Sequence, residues 1–194
     1  MSGVVRTLLT GVVAVIWLAA APAARAAEEA AGRPPSPQAA EALQLLKSED
    51  DYQRKLGFLR LEALRELSTL PTLRAYLTDR DPEMRAYSLR AVAAVEGVAA
   101  APPLVATLQA DKEPRVRRAA VLGLEPFAMV DQAWLPPLLK ALTDRNTEVR
   151  MAAVDVVSRI PNARAREAIL TRHRREQRPD VRRVLELAVK RLGG

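Results

Sequence analysis

The sequence has no cysteine, one histidine and few aromatic residues, which make up 4% of its 194 positions. Without cysteine the chain cannot form a disulfide, a thiolate nucleophile or a thiolate zinc site. The histidine, His173, stands between Arg172 and Arg174, whose charges would repel a metal cation. The sequence also has no glycine-rich phosphate loop, nucleophile elbow or Ser/His/Asp set. We therefore predict a protein that is not an enzyme and that binds no cofactor or metal.

Glycine and bulky core residues are scarce as well. The chain has 8 glycines, and its hydrophobic content of 49% comes mainly from Leu, Val and Ala. Many short helices that make numerous small contacts suit this composition better than a sandwich of strands. We predict an all-α fold, and the length is that of a single domain.

The N-terminus has the three parts of an export signal. Arg6 supplies a positive charge, residues 8–20 form an apolar run, and Ala24-Arg25-Ala26 matches a cleavage site. We predict that residues 1–26 are a signal peptide cleaved after Ala26, and that the mature protein is periplasmic or extracellular. An uncleaved N-terminal anchor is the alternative, because residues 7–24 are an uncharged stretch at the lower limit for spanning a bilayer.

A proline-rich linker is predicted at residues 27–37, and a single repeat domain at residues 38–194. The repeat is a short motif that begins with an acidic residue and ends six positions later with arginine. Its four arginines are 32, 33 and 32 residues apart, which indicates one helical unit stacked on itself. The acidic residues are Asp79, Asp111, Asp144 and Glu176, and the arginines are Arg85, Arg117, Arg150 and Arg182.

Each motif predicts the turn before the second helix of a helix pair. Asp81 and Asn146 can cap a helix, and Pro82, Pro114 and Pro179 suit the first helical position. We predict a right-handed α-solenoid of about five short helix pairs. The five predicted second helices cover residues 50–67, 82–96, 114–124, about 149–157, and 179–192.

The motif arginines need a partner, because a cation near a helix N-terminus is disfavoured by the helix dipole. We predict a ladder in which carboxylates and guanidiniums of neighbouring repeats pair with one another.

The motif resembles the HEAT-like repeats of the phycobilin-lyase class, over residues 38–192. The resemblance implies a scaffold for partner proteins. The related deoxyhypusine hydroxylases hold di-iron with His-Glu pairs, which this sequence lacks, and no motif supports bilin attachment.

Basic residues are concentrated at the C-terminal end. Residues 159–194 contain 11 Lys and Arg against 4 Asp and Glu, whereas residues 27–158 contain 17 against 19. We predict that the second helices line a concave face that docks a protein or peptide, with basic residues near the C-terminus as contacts. The predicted contact residues are Arg159, Arg172, Arg174, Arg175 and Arg183.

Electrostatic binding of a polyanion by the C-terminal repeat is the alternative function, and a basic end that is merely solvated is the simplest interpretation. Anionic lipid head groups are one such ligand. Nucleic acid is disfavoured because aromatic platforms are missing near these arginines and an exported protein rarely meets chromosomal DNA. Polyanion binding would weaken steeply with salt, and a packed protein interface would not. The sequence leaves the oligomeric state open.

Overall fold

The computed structural model describes residues 32–193, and the predicted signal peptide lies outside the described residues. The described part of the chain is helical and contains no strand, as predicted. Ten α-helices follow one another, joined by turns and short 3-10 segments. Their bounds are α1 Pro37–Leu45, α2 Asp51–Leu64, α3 Leu70–Ala75, α4 Pro82–Glu96, α5 Ala101–Ala110, α6 Pro114–Val130, α7 Leu135–Ala141, α8 Thr147–Val157, α9 Ala163–Arg175 and α10 Pro179–Gly193.

The helices form five pairs stacked in chain order, which confirms the predicted solenoid. Each even-numbered helix packs along the next even-numbered helix, whereas consecutive odd-numbered helices barely touch. A stack whose layers differ in spacing curves towards the more closely spaced layer. The even-numbered helices therefore line the concave side, where solenoid proteins present extended binding surfaces.

The starts of the even-numbered helices are set by local chemistry. Asp81 accepts a hydrogen bond from the N–H of Glu83 at 2.8 Å, and Pro82 follows it at the first helical position. Asn146 caps α8 in the same way, with bonds of 2.9 and 3.3 Å from the first turn. These predicted helix starts are confirmed, because each satisfies backbone N–H groups that have no partner within the helix.

The core consists mainly of Leu, Val and Ala, as the composition predicts. Its largest fully buried side chain is Phe58, which meets the ring of Tyr76 edge-on at 5.2 Å. Close helix packing depends on Gly57, where an added Cβ would lie 2.9 Å from the carbonyl oxygen of Ala42. Small residues thus allow α1 and α2 to approach more closely than larger side chains would permit.

Two helix ends differ from the prediction. Helix α6 was expected to end near Leu124 but continues to Val130, with Pro126 inside it. Pro126 is exposed, whereas Phe127 and Ala128 are buried, so packing of the last turn outweighs the lost backbone hydrogen bond. Helix α2 was expected to reach residue 67 but ends at Leu64, because Arg65 adopts a left-handed conformation with a φ of 52°.

One helical stretch of the described chain, Pro82–Ala110, has the length and composition of a membrane span, with a mean hydropathy of 1.6. It comprises α4 and α5, separated at Gly97, whose φ is 65°. Of its most apolar window, 44% is buried inside the protein. Its buried residues include Leu89, Val92 and Leu104, which belong to the core.

Candidate functional site

Arg117 on α6 is a charged side chain inside the protein, with only 4% of its surface exposed. Its Nε and Nη2 donate to the two carboxylate oxygens of Asp144, in the next repeat, at 2.8 and 2.7 Å. Its Nη1 donates to the backbone carbonyls of Asp111 and Lys112, in its own turn, at 3.0 and 2.9 Å. The guanidinium therefore joins two consecutive turns through charge-assisted hydrogen bonds.

The same arrangement recurs in the repeats on either side. Arg85 donates through Nε and Nη2 to both carboxylate oxygens of Asp111, at 3.0 Å each. Arg150 donates through Nε to Glu176 at 3.2 Å. In both cases Nη1 also donates to backbone carbonyls of the arginine's own turn. These three rungs confirm the predicted ladder and give its arginines a structural role.

The ladder keeps its carboxylates ionised although they are largely buried. Burial acts to raise the pKa of Asp144, but hydrogen bonds from Arg117 and from the N–H of Asn146 outweigh it and hold the pKa below its ordinary value. The same balance leaves Asp111 and Glu176 with lowered pKa values. Each carboxylate therefore carries a negative charge at neutral pH, and this charge offsets that of the arginine with which it pairs.

Within residues 32–193, the predicted members at the two ends of the ladder, Asp79 and Arg182, take part in no rung. Arg54 on α2 occupies the corresponding place in the first repeat, but it pairs with Asp51 of its own helix rather than with Asp79. Asp79 keeps the other bond of a ladder carboxylate, because it accepts the N–H of Asp81 at 2.8 Å. Arg182 on α10 is exposed, because no described repeat follows it.

The concave side presents a surface that we name the B face. It is formed by the even-numbered helices and contains three adjoining depressions of about 430, 550 and 330 Å³. Leu122, near the middle of α6, lines all three. The face contains apolar, basic and acidic side chains, among them Tyr87, Arg90, Arg118, Leu122, Glu148, Met151, Asp155 and Val184.

Most charged groups on the B face are paired between repeats. Glu83 on α4 accepts from Lys55 on α2 at 2.8 Å and from Arg115 on α6 at 2.7 Å, which links three consecutive even-numbered helices. Arg90 lies 3.1 Å from the carboxylate of Glu62, and its guanidinium is 6.0 Å from the centre of the Tyr87 ring.

Arg118 differs from these residues. It is exposed between two of the depressions, and within residues 32–193 it has no carboxylate within 4.0 Å. Its charge is therefore available to a partner that docks on the B face.

The five predicted contact residues do not form one patch. Arg159 lies at the end of α8, where it pairs with Glu125 at 2.7 Å. Arg183 on α10 directly follows the motif arginine of its repeat, as Arg118 does on α6. Arg183 is therefore equivalent to Arg118 and extends the B face. Arg172 donates to Glu176 at 3.1 Å and so joins the last rung of the ladder.

The two remaining predicted residues lie on the other layer, near the end of α9. Arg174 is exposed and donates to the hydroxyl of Thr171 at 3.2 Å. Arg175 is exposed and, together with Arg172, lines a cleft of about 410 Å³ between α7 and α9. The basic residues that are close in sequence are therefore divided between two opposite surfaces of the solenoid.

The sequence interpretation located the concave face but missed the side chains at its centre. Leu122 is five residues after the motif arginine, at the place where the other repeats have Arg90, Asp155 and Leu187. Met151 stands directly after its motif arginine, where Arg118 stands in the preceding repeat. An apolar residue where another repeat has a charged one is the signal that could have identified them.

Residues 32–193 contain no group of three or more His, Cys, Asp or Glu placed to hold an ion. The buried carboxylates that could attract a cation, Asp144 and Glu176, are already bonded to arginines.

Comparisons with known proteins agree with this architecture. A family model described as HEAT repeats matches residues 39–125 and 101–190. The complex of CpcE and CpcF of phycocyanin lyase from Nostoc sp. PCC7120 has a similar fold, with a TM-score of 0.62 and 24% identity, covering 77% of this chain and 98% of that chain. An engineered protein is similar with a TM-score of 0.51 and 20% identity, covering 89% of each chain. No curated protein is detectably similar in sequence.

Proposed function

Because the chain belongs to the HEAT-repeat family, we propose that it is a non-enzymatic scaffold that binds a partner protein or peptide on its B face. The observation that carries this proposal is the row of three depressions along consecutive even-numbered helices, with Leu122 and Met151 between charged side chains. The surface is lined by residues of all five even-numbered helices, and this length matches an extended peptide or a partner helix better than a small molecule.

The electrostatics of the B face also favour a protein partner. Arg90 is held by Glu62, and Arg115 is held by Glu83, so binding would freeze few additional side-chain rotamers. Contacts that are already ordered reduce the entropic cost of association. The unpaired charge of Arg118 beside the apolar Leu122 gives the interface both a polar contact and an apolar centre.

A similar fold supports the same class of function. The solved structure with a TM-score of 0.62 is a complex of two proteins, CpcE and CpcF. We propose a comparable capacity for protein association here, and no catalytic role, because the buried ionisable groups of the ladder are engaged with one another. A site made of residues that are already paired leaves no base or nucleophile free for a substrate.

We propose further that this scaffold works outside the cytoplasm. The support is the sequence of residues 1–26, with its charged start, apolar run and Ala24-Arg25-Ala26 site. Protein isolated from the extracytoplasmic fraction should have Ala27 as its first residue in N-terminal sequencing. A membrane-bound form that retains Met1 would contradict cleavage and favour the anchor.

The scaffold proposal is tested by Leu122→Glu in the full-length protein. A buried glutamate at the centre of an interface would lose its hydration, so recovery of the co-purified partner should fall at least about tenfold. The matched control is Val130→Glu, which makes the same chemical change at the exposed end of α6, where 90% of the side chain is accessible. Quantitative mass spectrometry of the co-purified partner measures its recovery with each variant relative to the wild type.

The experiment is repeated at about 1 M salt, where the Debye length is about 3 Å. A partner that binds by packing should be retained at this salt concentration. Equal recovery with the two variants, or complete loss of the partner with salt alone, would contradict binding on the B face.

A further inference from the structure

The layer opposite the B face has two adjoining clefts, because its odd-numbered helices lie far apart. The cleft between α5 and α7 has a volume of about 420 Å³ and is lined by Lys112, Lys140 and Arg145. The cleft between α7 and α9 has a volume of about 410 Å³ and is lined by Arg164 and Arg175. Thr143 lines both clefts, so they form a continuous surface, which we name the A cleft.

The A cleft carries an excess of positive charge. Within residues 32–193, none of the five cations Lys112, Lys140, Arg145, Arg164 and Arg175 has a carboxylate within 4.0 Å. The carboxylates that do line the clefts are Asp111, Asp144 and Glu167. The first two are bonded to ladder arginines, so only Glu167 can offset these cations.

The floor of the A cleft is apolar. Leu139, Leu142 and Ala168 line its deeper part between α7 and α9, with the hydroxyls of Thr143 and Thr171 beside them. Leu142 is only 3% exposed, which shows that the cleft reaches the core. Cations on the walls and apolar groups on the floor are complementary to a ligand that has carboxylates next to apolar side chains.

We propose that the A cleft binds a short acidic segment of a partner protein, in which Asp or Glu residues alternate with apolar residues. Helices in direct packing contact lie about 8–10 Å apart, so the more widely spaced α5, α7 and α9 span at least about 20 Å, and an extended chain advances about 3.3 Å per residue. A segment of about six to eight residues therefore crosses α7 and fills both parts of the cleft. Its carboxylates reach Arg164 and Arg175, and its apolar side chains contact Leu139 and Leu142.

Other anionic partners fit this geometry less well. A lipid bilayer presents a broad surface, which cannot reach a recessed floor where Leu142 is nearly buried and Leu139 is half-buried. Nucleic acid uses stacking on aromatic rings, and among residues 32–193 no aromatic side chain lines either part of the A cleft. The combination of recessed apolar floor and basic walls therefore favours a peptide.

This binding site goes beyond the proposed function, because it lies on the layer opposite the B face. Of the five contact residues predicted from the sequence, only Arg172 and Arg175 belong to it, and Arg172 is already bonded to Glu176. A partner that occupies the B face leaves the A cleft open. The two surfaces can therefore be tested separately.

The test measures binding of a fluorescent peptide of about eight residues, with alternating Glu and Leu, to the full-length protein. The double variant Arg164→Glu, Arg175→Glu reverses two exposed charges of the cleft and should weaken binding at least about tenfold. The matched control is Arg182→Glu, Arg183→Glu, which changes the net charge equally on the exposed surface of α10. This control should change the Kd about twofold or less.

Three results would overturn the proposal. The first is equal weakening in both double variants, which would show general charge attraction. The second is equal affinity for a peptide in which every Glu is replaced by Gln. The third is binding to vesicles of anionic lipid, or to single-stranded DNA, that is tighter than binding to the peptide and that is lost in the Arg164→Glu, Arg175→Glu variant.

Two further variants keep the result interpretable. If the Glu variants do not fold, Arg164→Gln with Arg175→Gln removes the charge without reversing it and should still weaken peptide binding. Leu122→Glu should leave peptide binding unchanged. A loss of peptide binding in Leu122→Glu would mean that the peptide occupies the B face, and this too would overturn the proposal.

Discussion

Arg117 and Arg182 occupy the same place in two repeats, and their environments are opposite. Arg117 is buried and holds the carboxylate of the next repeat, whereas Arg182 is exposed at the end of the stack. Both follow the same motif, an acidic residue six positions earlier and a valine directly before the arginine. The comparison shows that the motif creates a rung only when a further repeat supplies the partner.

The rest of the last helix agrees with this difference. Four residues after the motif arginine, the inner repeats have Leu89, Val121 and Val154, all of them buried. The corresponding residue on α10 is Glu186, which is exposed. A polar residue at a position that otherwise packs against the next helix is typical of the terminal unit of a solenoid. The C-terminal repeat therefore closes the described stack with a charged surface.

The largest predicted effect is the loss of stability on reversing the charge of Arg117, compared with the same substitution at Arg182. Arg117→Glu places a second carboxylate beside Asp144 in a buried site, and breaking such a pair costs about 3–5 kcal/mol. We expect the melting temperature to fall by about 10 °C, measured by circular dichroism. Arg182→Glu should leave stability within about 0.5 kcal/mol of the wild type, because its side chain is exposed. Similar melting temperatures for the two variants would disprove the structural role of the ladder.

A smaller effect is expected when the ladder carboxylates are protonated. The pKa values of Asp111, Asp144 and Glu176 are lower in the folded protein than their ordinary values. Their contribution is therefore complete above the unfolded values of about 3.9 for Asp and 4.3 for Glu, and is lost as the pH falls through the lower folded values.

Urea unfolding should accordingly show a steep loss of stability below about pH 4. Asp144→Asn, already less stable at neutral pH, should lose less stability on acidification because one rung is missing. An identical acid dependence in wild type and variant would show that the ladder does not determine it.

The smallest effect concerns the paired charges of the B face. Arg115→Ala removes the link to Glu83, but 62% of the Arg115 side chain is exposed. Exposed ion pairs contribute about 0.2–1 kcal/mol, so the change in the free energy of unfolding should stay below that of any ladder variant. Chemical denaturation measures it. A loss as large as that in Arg117→Glu would mean that the B face, and not the ladder, holds the repeats together.

Much of the fold could be predicted because its determinants are local. The capping side chains of Asp81 and Asn146, and the prolines that follow turns, fix helix starts within a few residues. The acid-to-arginine spacing predicted the ladder because the motif repeats at a nearly constant interval. The extension of α6 past Pro126 could not be predicted, since it depends on the burial of Phe127 by other helices.

The candidate site was less predictable for a related reason. Arg172, Arg174 and Arg175 are neighbours in the sequence and suggest a single basic cluster. In the folded protein Arg172 and Arg175, three residues apart, both line the A cleft, whereas the adjacent Arg174 does not and Arg183 extends the B face. Positions that are three or four residues apart share a helix face, and adjacent ones do not. The helical period therefore separates charges that the sequence places together.

The sequence by itself determined that this chain forms helical hairpins, where most of them begin, and that an acidic residue and an arginine recur once per hairpin. These properties follow from capping, helix propensity and periodicity, which act over a few residues. Only the tertiary structure decided which arginines are buried, which face the A cleft and which side chains form the centre of the B face. Burial and pairing depend on the neighbouring repeat, and a motif read alone does not reveal whether that neighbour is present.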